Sequence, residues 1–463
     1  MRIGSERHHK ATGNKVKSAT RPGVRCHAPR ALQNGWGHFN LAWRRFVPSI
    51  RVLVISENIS MEMGGESSLP YYYAKLFIQR GVEVWLACHE RVESTLLRDF
   101  PELGSRIHLV RDTWAQKMLF RFGKLLPYRL RDMIVGQVIH VSTQMRLRKI
   151  AVRLARAGAI DVVFEPAPIS PKGISFMYDV GVPVVIGPLC GGMNFPAAFA
   201  DMDSWVTRSS MALGRLFSQL ANRLVPGKLK ADALLAANTT TVKALPAGYR
   251  GRVIRLFESG VDLDLWKPAP MVSSGEDHLV RFAFSGRFVD WKGVQFLVPA
   301  FAKAVAEEPR CRLDLIGGGE LEGAVKAVIE QHHLQEFVRL HGWLSRPDAA
   351  RIIRETDVFV MPSLRECGGT AILEAMALGK PVIAMNWGGP ADYINASCGL
   401  LVDPDSREGC MNGLANAMVR LARAPELRRK LGEGGQLRVR QDNLDWNSKA
   451  DRVLSILNEV AGK

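Results

Sequence analysis

Pro362-Ser-Leu-Arg-Glu-Cys-Gly-Gly-Thr-Ala-Ile-Leu-Glu-Ala-Met-Ala-Leu-Gly-Lys-Pro381 is the stretch that decides how this chain folds. The apolar run Val358 to Met361 before it reads as a buried strand. Gly379 and Pro381 after it read as the end of a helix, so the segment is strand, glycine loop and helix in succession. Gly368 and Gly369 leave the backbone bare where the helix begins, and free N–H groups at a helix start suit a phosphate. Glu366 in the loop and Glu374 inside the helix bracket that place. With Thr370 as the N-cap, a capping box would need its acid at position 373, which is Leu, so Glu374 is not explained as a capping residue.

Working outward, the same alternation repeats. Strands are expected at 280–285, 312–316, 337–341, 357–361, 381–385 and 399–402. Helices are expected at 293–307, 320–333 and 346–355. Strand and helix in strict alternation predict a parallel, doubly wound sheet. A second set begins at Ile50-Arg-Val-Leu-Val-Ile-Ser56 and continues with strands at 82–87, 105–110, 160–164, 183–186, 234–237 and 253–257. Glu258-Ser-Gly-Val-Asp262 and the polar run 273–277 mark the boundary between the two. The division expected is a basic arm at 1–48, a first domain at 49–260, a second at 261–440, and a helix at 441–463 that crosses back onto the first.

Three glycine turns follow strands. Gly286-Arg287-Phe-Val-Asp-Trp-Lys292-Gly293 sets a guanidinium and an ammonium at the carboxyl edge of a sheet, where open α/β sheets bind ligands. Two fixed cations there can stabilise the negative charge of a leaving diphosphate. Leu315-Ile-Gly317-Gly-Gly-Glu320 fails as a dinucleotide fingerprint, because the third glycine position, 322, is Glu; a nicotinamide oxidoreductase is thereby disfavoured. Gly64-Gly65, after the first strand, is a tight turn or a ligand contact. His341 is read as structural, and Asn238 as a helix N-cap.

The spacing Glu366-x7-Glu374, set within Pro-Ser-x-x-Glu…Leu-Glu-Ala-Met-Ala-x-Gly-x-Pro-Val-Ile, closely resembles the signature of the retaining GT-B glycosyltransferases called group 1, or family 4. The resemblance covers about 50–460, with 282–403 its specific part. It implies two Rossmann-like domains facing across a cleft, and transfer of a sugar from a nucleoside diphosphate to an acceptor hydroxyl with retention of configuration. By the same resemblance Arg287 and Lys292 hold the diphosphate and Glu374 the ribose. Glu366, with the backbone of Gly368, Gly369 and Thr370, holds the sugar, and Gly65 lies near the reacting centre. No cofactor and no metal are implied; the nucleotide sugar is a substrate, and the acceptor a glycan or lipid-linked compound. Gly187-Pro-Leu-Cys-Gly-Gly-Met193 stands where many members carry a functional His, so the acceptor-side base is not identified. A glycogen-synthase-like transferase, a sugar-nucleotide epimerase and a polyanion-binding protein are the alternatives. An epimerase would need no acceptor, and a binding protein would leave the donor intact.

Composition agrees with a chain of two or three domains: 463 residues, 47% hydrophobic. Of the net charge of +17, residues 1–51 carry +10, with eleven Lys/Arg against Glu6. That arm reads as a solvated tail, and nucleic acid as a partner is disfavoured. Region 117–156 interleaves ten Lys/Arg with Met118, Leu119, Phe120 and Phe122 and has one acid, Asp132, a pattern shared by peripheral contacts with anionic membranes and by an ordinary amphipathic helix. Seven cysteines (26, 88, 190, 311, 367, 398, 410) show no C-x-x-C pair, so neither a disulfide framework nor a zinc site is expected, and a cytoplasmic location fits.

Overall fold

In the computed structural model, residues 50–63, 65–123, 137–202, 217–268 and 279–463 are described. The basic arm, the middle of the 117–156 region and the polar run at 273–277 lie outside them, as does Gly64.

Two parallel sheets organise the chain, as the alternation predicts. The first contains β1 (Arg51–Ile55), β2 (Glu83–His89), β3 (Ile107–Val110), β4 (Val162–Glu165), β5 (Val184–Leu189), β6 (Ala233–Ala236) and β7 (Arg252–Arg255), in the order β3-β2-β1-β4-β5-β6-β7. The second contains β8 (Val280–Ser285), β9 (Cys311–Ile316), β10 (Val338–Gly342), β11 (Val358–Met361), β12 (Val382–Met385) and β13 (Gly399–Val402), in the order β10-β9-β8-β11-β12-β13. Every pairing in both is parallel. In each sheet the winding reverses beside the first strand, between β1 and β4 and between β8 and β11. Those switch points open a crevice at the strands' carboxyl ends.

The apolar runs are continuous because these strands are covered on both faces. Along β1, Val52 and Val54 join one core while Leu53 and Ile55 join the other, which is the two-residue period of a strand with helices above and below. One cover of the first sheet comes from far along the chain. The helix Trp446–Ala461 puts Trp446, Ala450, Val453, Ile456 and Leu457 into the core beside the helix Ser68–Gln79. To reach it the chain crosses between domains at 444–446, alongside the first crossing. Val261 N–H donates to Leu444 O (2.9 Å) and Trp446 N–H to Val261 O (3.1 Å). Gly260 permits that approach, since a Cβ there would lie 2.8 Å from the Trp446 ring.

The helix Gln137–Arg156 buries Leu147, Ala151 and Leu154 in the first domain's other core. Two of its cations are engaged at home. Arg146 hydrogen-bonds the Arg111 carbonyl, and Arg148 donates to Tyr178 O (2.9 Å) while lying 4.4 Å over that ring. Among the described residues no helix is long and apolar enough to cross a membrane.

Candidate active site

The second sheet's switch point brings the central motif and the Arg287–Lys292 loop together, because β8 and β11 are neighbours. After β8 the chain makes a short turn, Asp290–Lys292, and passes through Gly293 at φ +75° into the helix Val294–Glu307. A side chain at 293 would be strained by that left-handed backbone, and its Cβ would lie 2.0 Å from Pro362 O. Glycine therefore lets the two loops touch. The Leu364 N–H then donates to Trp291 O (2.9 Å), and the Lys292 ammonium forms an ion pair with Glu366. Arg287 is exposed at the carboxyl end of β8.

The helix after the motif starts one residue earlier than a Thr370 cap implies. Its N-cap is Gly369, at φ +68°, and Thr370 is the first helical residue. The reason is again a close approach: a Cβ on Gly369 would meet the Tyr393 hydroxyl at 2.7 Å, and that hydroxyl donates to Gly368 O (2.7 Å). Glu374 falls on the buried side of this helix, where Arg346 donates to its Oε1 (3.0 Å) and also to the Tyr72 hydroxyl (2.9 Å) of the first domain. Burial pushes the Glu374 carboxyl up to about 7 against the opposing pull of Arg346.

Between the domains lies a cavity of about 360 Å³, lined among others by Gly65, Tyr72, Glu258, Arg346, Thr370 and Glu374. Three of the anticipated site positions, Gly65, Thr370 and Glu374, thus share one wall-to-wall space. Lys292, Glu366, Gly368 and Gly369 stand beside it rather than in its lining. Glu258 makes the link. It lines the cavity, and its Oε1 lies so near Gly368 that a Cβ there would come within 1.5 Å of it.

Three participants, and one covalent link beside the site, were not singled out by sequence reasoning. Glu258 is buried, and its Oε2 has no hydrogen-bond partner. Burial raises its carboxyl pKa, nearby Glu366 acts in the same direction, and Lys449 opposes them. Arg346 and Tyr72 carry no motif; only the docking of the domains shows them. Cys190 is joined to Cys367 by a disulfide across 177 residues of sequence, contrary to the expectation of no disulfide. The two loops are 6.1 Å apart at Cα, a proximity that spacing along a chain cannot reveal. His341 is held by Asp314 on the adjacent strand β9 (Nε2 to Oδ1, 2.7 Å), which fits a structural residue. Asn238 caps its helix by accepting from Thr241 N–H (2.8 Å).

Residues 275–438 match the family model "Glycosyl transferases group 1". The chain is similar to the D-inositol 3-phosphate glycosyltransferase of Pseudarthrobacter chlorophenolicus, 31% identical over 242 residues, covering 50% of this chain and 55% of that protein. It is likewise similar to the protein of that name from an Arthrobacter species, 37% identical over 196 residues, covering 39% and 45% of the two. The chain thus spans about half the length of the curated relatives it matches. In three dimensions it is similar to Anabaena HepE solved with UDP, with a TM-score of 0.58 and 15% identity over 89% of this chain and all of that one. Likeness at that identity speaks for the fold, two parallel-sheet domains in the GT-B manner.

Proposed function

We propose that the protein is a retaining glycosyltransferase, moving a sugar from a nucleoside diphosphate sugar to an acceptor hydroxyl of a glycan or lipid-linked compound. The observation that carries this reading is the pairing of a cation with a carboxylate at the second sheet's switch point, with a further one of each on the loop and helix that follow the same two strands. Lys292 and Glu366 are paired there, Arg287 stands at the end of β8, and Glu374 lines the adjoining cavity. In this reading the ammonium held by Glu366 passes to the donor's diphosphate, the stronger anion. The carboxylate so released faces the sugar, where positive charge develops as the anomeric bond breaks. Glu374, released from Arg346, takes the ribose hydroxyls. The two fixed cations fill the place a metal would otherwise take, so activity is expected to survive EDTA.

A peripheral contact with anionic lipid is part of the proposal. Its support is the exposed cations Lys149, Arg153 and Arg156 on the helix Gln137–Arg156, next to exposed Met145.

Incubation with UDP-, GDP- and ADP-sugars, scored for nucleotide release, tests the donor assignment, and release from none of them contradicts it. With the donor found, Glu374→Gln is expected to raise KM about tenfold while leaving kcat nearly unchanged, because a ribose contact is alike in ground and transition states. Wild-type KM should also rise as pH falls below about 7, where the buried carboxyl gains its proton and loses an acceptor position. The Gln variant should lack that dependence. A kcat effect instead would move Glu374 into the chemical step.

A further inference from the structure

Among the described residues the chain itself joins the two domains at the adjoining crossings at 258–262 and 444–446. Elsewhere in the cleft the Cys190–Cys367 bond is a third covalent connection, and it joins the loop after β5 to the residue between Glu366 and Gly368. Hydrogen bonds run alongside it. Arg365 donates to Met193 O (3.1 Å), Trp387 to Asn194 O (2.9 Å), and Asn238 to the Cys367 sulfur (3.5 Å). Hydrogen bonds of this kind break and reform as domains move; a disulfide does not.

From this placement we infer that Cys190 and Cys367 form a reversible thiol–disulfide site that tethers the two domains and holds the Glu366 loop when oxidised, and frees both when reduced. The partner chemistry is a dithiol. Its thiolate attacks the sulfur of Cys367, a half-buried residue, whereas Cys190 is 5% exposed. The sulfur–sulfur bond breaks, a mixed disulfide forms on Cys367, and Cys190 leaves as a thiolate that takes a proton from water. The second thiol of the dithiol then displaces Cys367, so the reductant leaves as a disulfide having supplied two electrons. The reverse exchange, with a disulfide as oxidant, restores the tether.

The rest of the described chain gives this pair selectivity. Cys88, Cys311, Cys398 and Cys410 are free and buried, and burial raises each thiol, Cys88 and Cys311 to about 12 and Cys410 to about 11. Thiols held protonated and enclosed react slowly with disulfides.

The inference rests on the transferase reading for its rate effect alone, so its test has a second readout. The full-length protein is treated either with excess oxidised glutathione or with dithiothreitol. Peptide mapping, amide hydrogen exchange and nucleotide release from the donor are then compared, with Cys190→Ala alongside. The oxidised protein is expected to yield the Cys190–Cys367 peptide, to exchange more slowly at 187–195 and 365–388, and to turn over about tenfold more slowly, as when a rate-limiting domain motion is blocked. Cys190→Ala, kept in dithiothreitol, should match the reduced wild type in exchange and turnover; in oxidised glutathione it should take at most a glutathione adduct on Cys367, mapped as such, without the slowed exchange at 187–195; if it melts early, Cys190→Ser takes its place. Absence of the linked peptide after oxidation overturns the proposal, as does equal exchange in the two loops in both states. Equal turnover with the bond mapped as present and absent overturns the rate effect. No nucleotide release from reduced protein or from Cys190→Ala, with exchange still differing, counts against the transferase reading instead.

Discussion

Lys292→Ala is expected to lower nucleotide release by about 10² to 10³, the scale for removing one preorganised stabiliser of developing charge. The ammonium is already in place: the Gly293 backbone and the Leu364–Trp291 hydrogen bond fix the two loops that hold it. Arg287→Ala is expected to cost a similar factor through the same diphosphate. Neither change should unfold the protein. Arg287 is exposed, and the Lys292–Glu366 pair stands at the edge of the cleft with its side chains 22% and 12% exposed, so water entering the space left by Lys292 offsets part of the cost of losing the pair. Circular dichroism checks the fold and single-turnover kinetics the chemistry. Full activity in the Lys292 variant would remove the diphosphate role.

Glu366→Gln is expected to depress kcat by about 10² or more with little change in donor KM, since a carboxylate beside an oxocarbenium-like centre acts mainly in the transition state. The isosteric amide keeps the loop's shape but ends the ion pair with Lys292. The opposing possibility is that Glu366 serves only to hold Lys292. A positioning role of that kind would raise KM and kcat effects together and would be matched by Lys292→Ala. Measuring the two variants and the double variant separates these, because groups acting on one step are strongly non-additive.

The fold was legible because its signals are local. Val358 to Met361 and Val52 to Ile55 are apolar runs buried on both faces, punctuated by glycines whose turns the strand–loop–helix succession demands. The individual motifs were legible for the same reason, and the neighbouring of β8 and β11 brings Lys292 to Glu366 as the doubly wound order requires. What the sequence could not show was contact across the cleft. Tyr72 and Arg346 are 274 residues apart, and Glu258 meets Gly368 from the crossing between domains. Such pairs follow from how two finished domains dock, and no periodicity encodes that. The disulfide escaped for a related reason: seven scattered cysteines give no pairing, and each partner lies in a loop whose neighbour belongs to the other domain. The early helix start at Gly369 escaped because the Tyr393 hydroxyl that fixes it arrives 24 residues later. His341 lacked a visible partner for the opposite reason. Asp314 is only one strand away, and the pairing of β9 with β10 would have offered it.

The anomeric configuration of the product, read by NMR on the transferred sugar or on donor hydrolysis product caught before it equilibrates, tests the central claim most directly. Retention of the donor's configuration is the result predicted for a sugar leaving and being replaced on one face, beside Glu366 and under the two cations. An inverted product would contradict both the retaining mechanism and the roles assigned to this site.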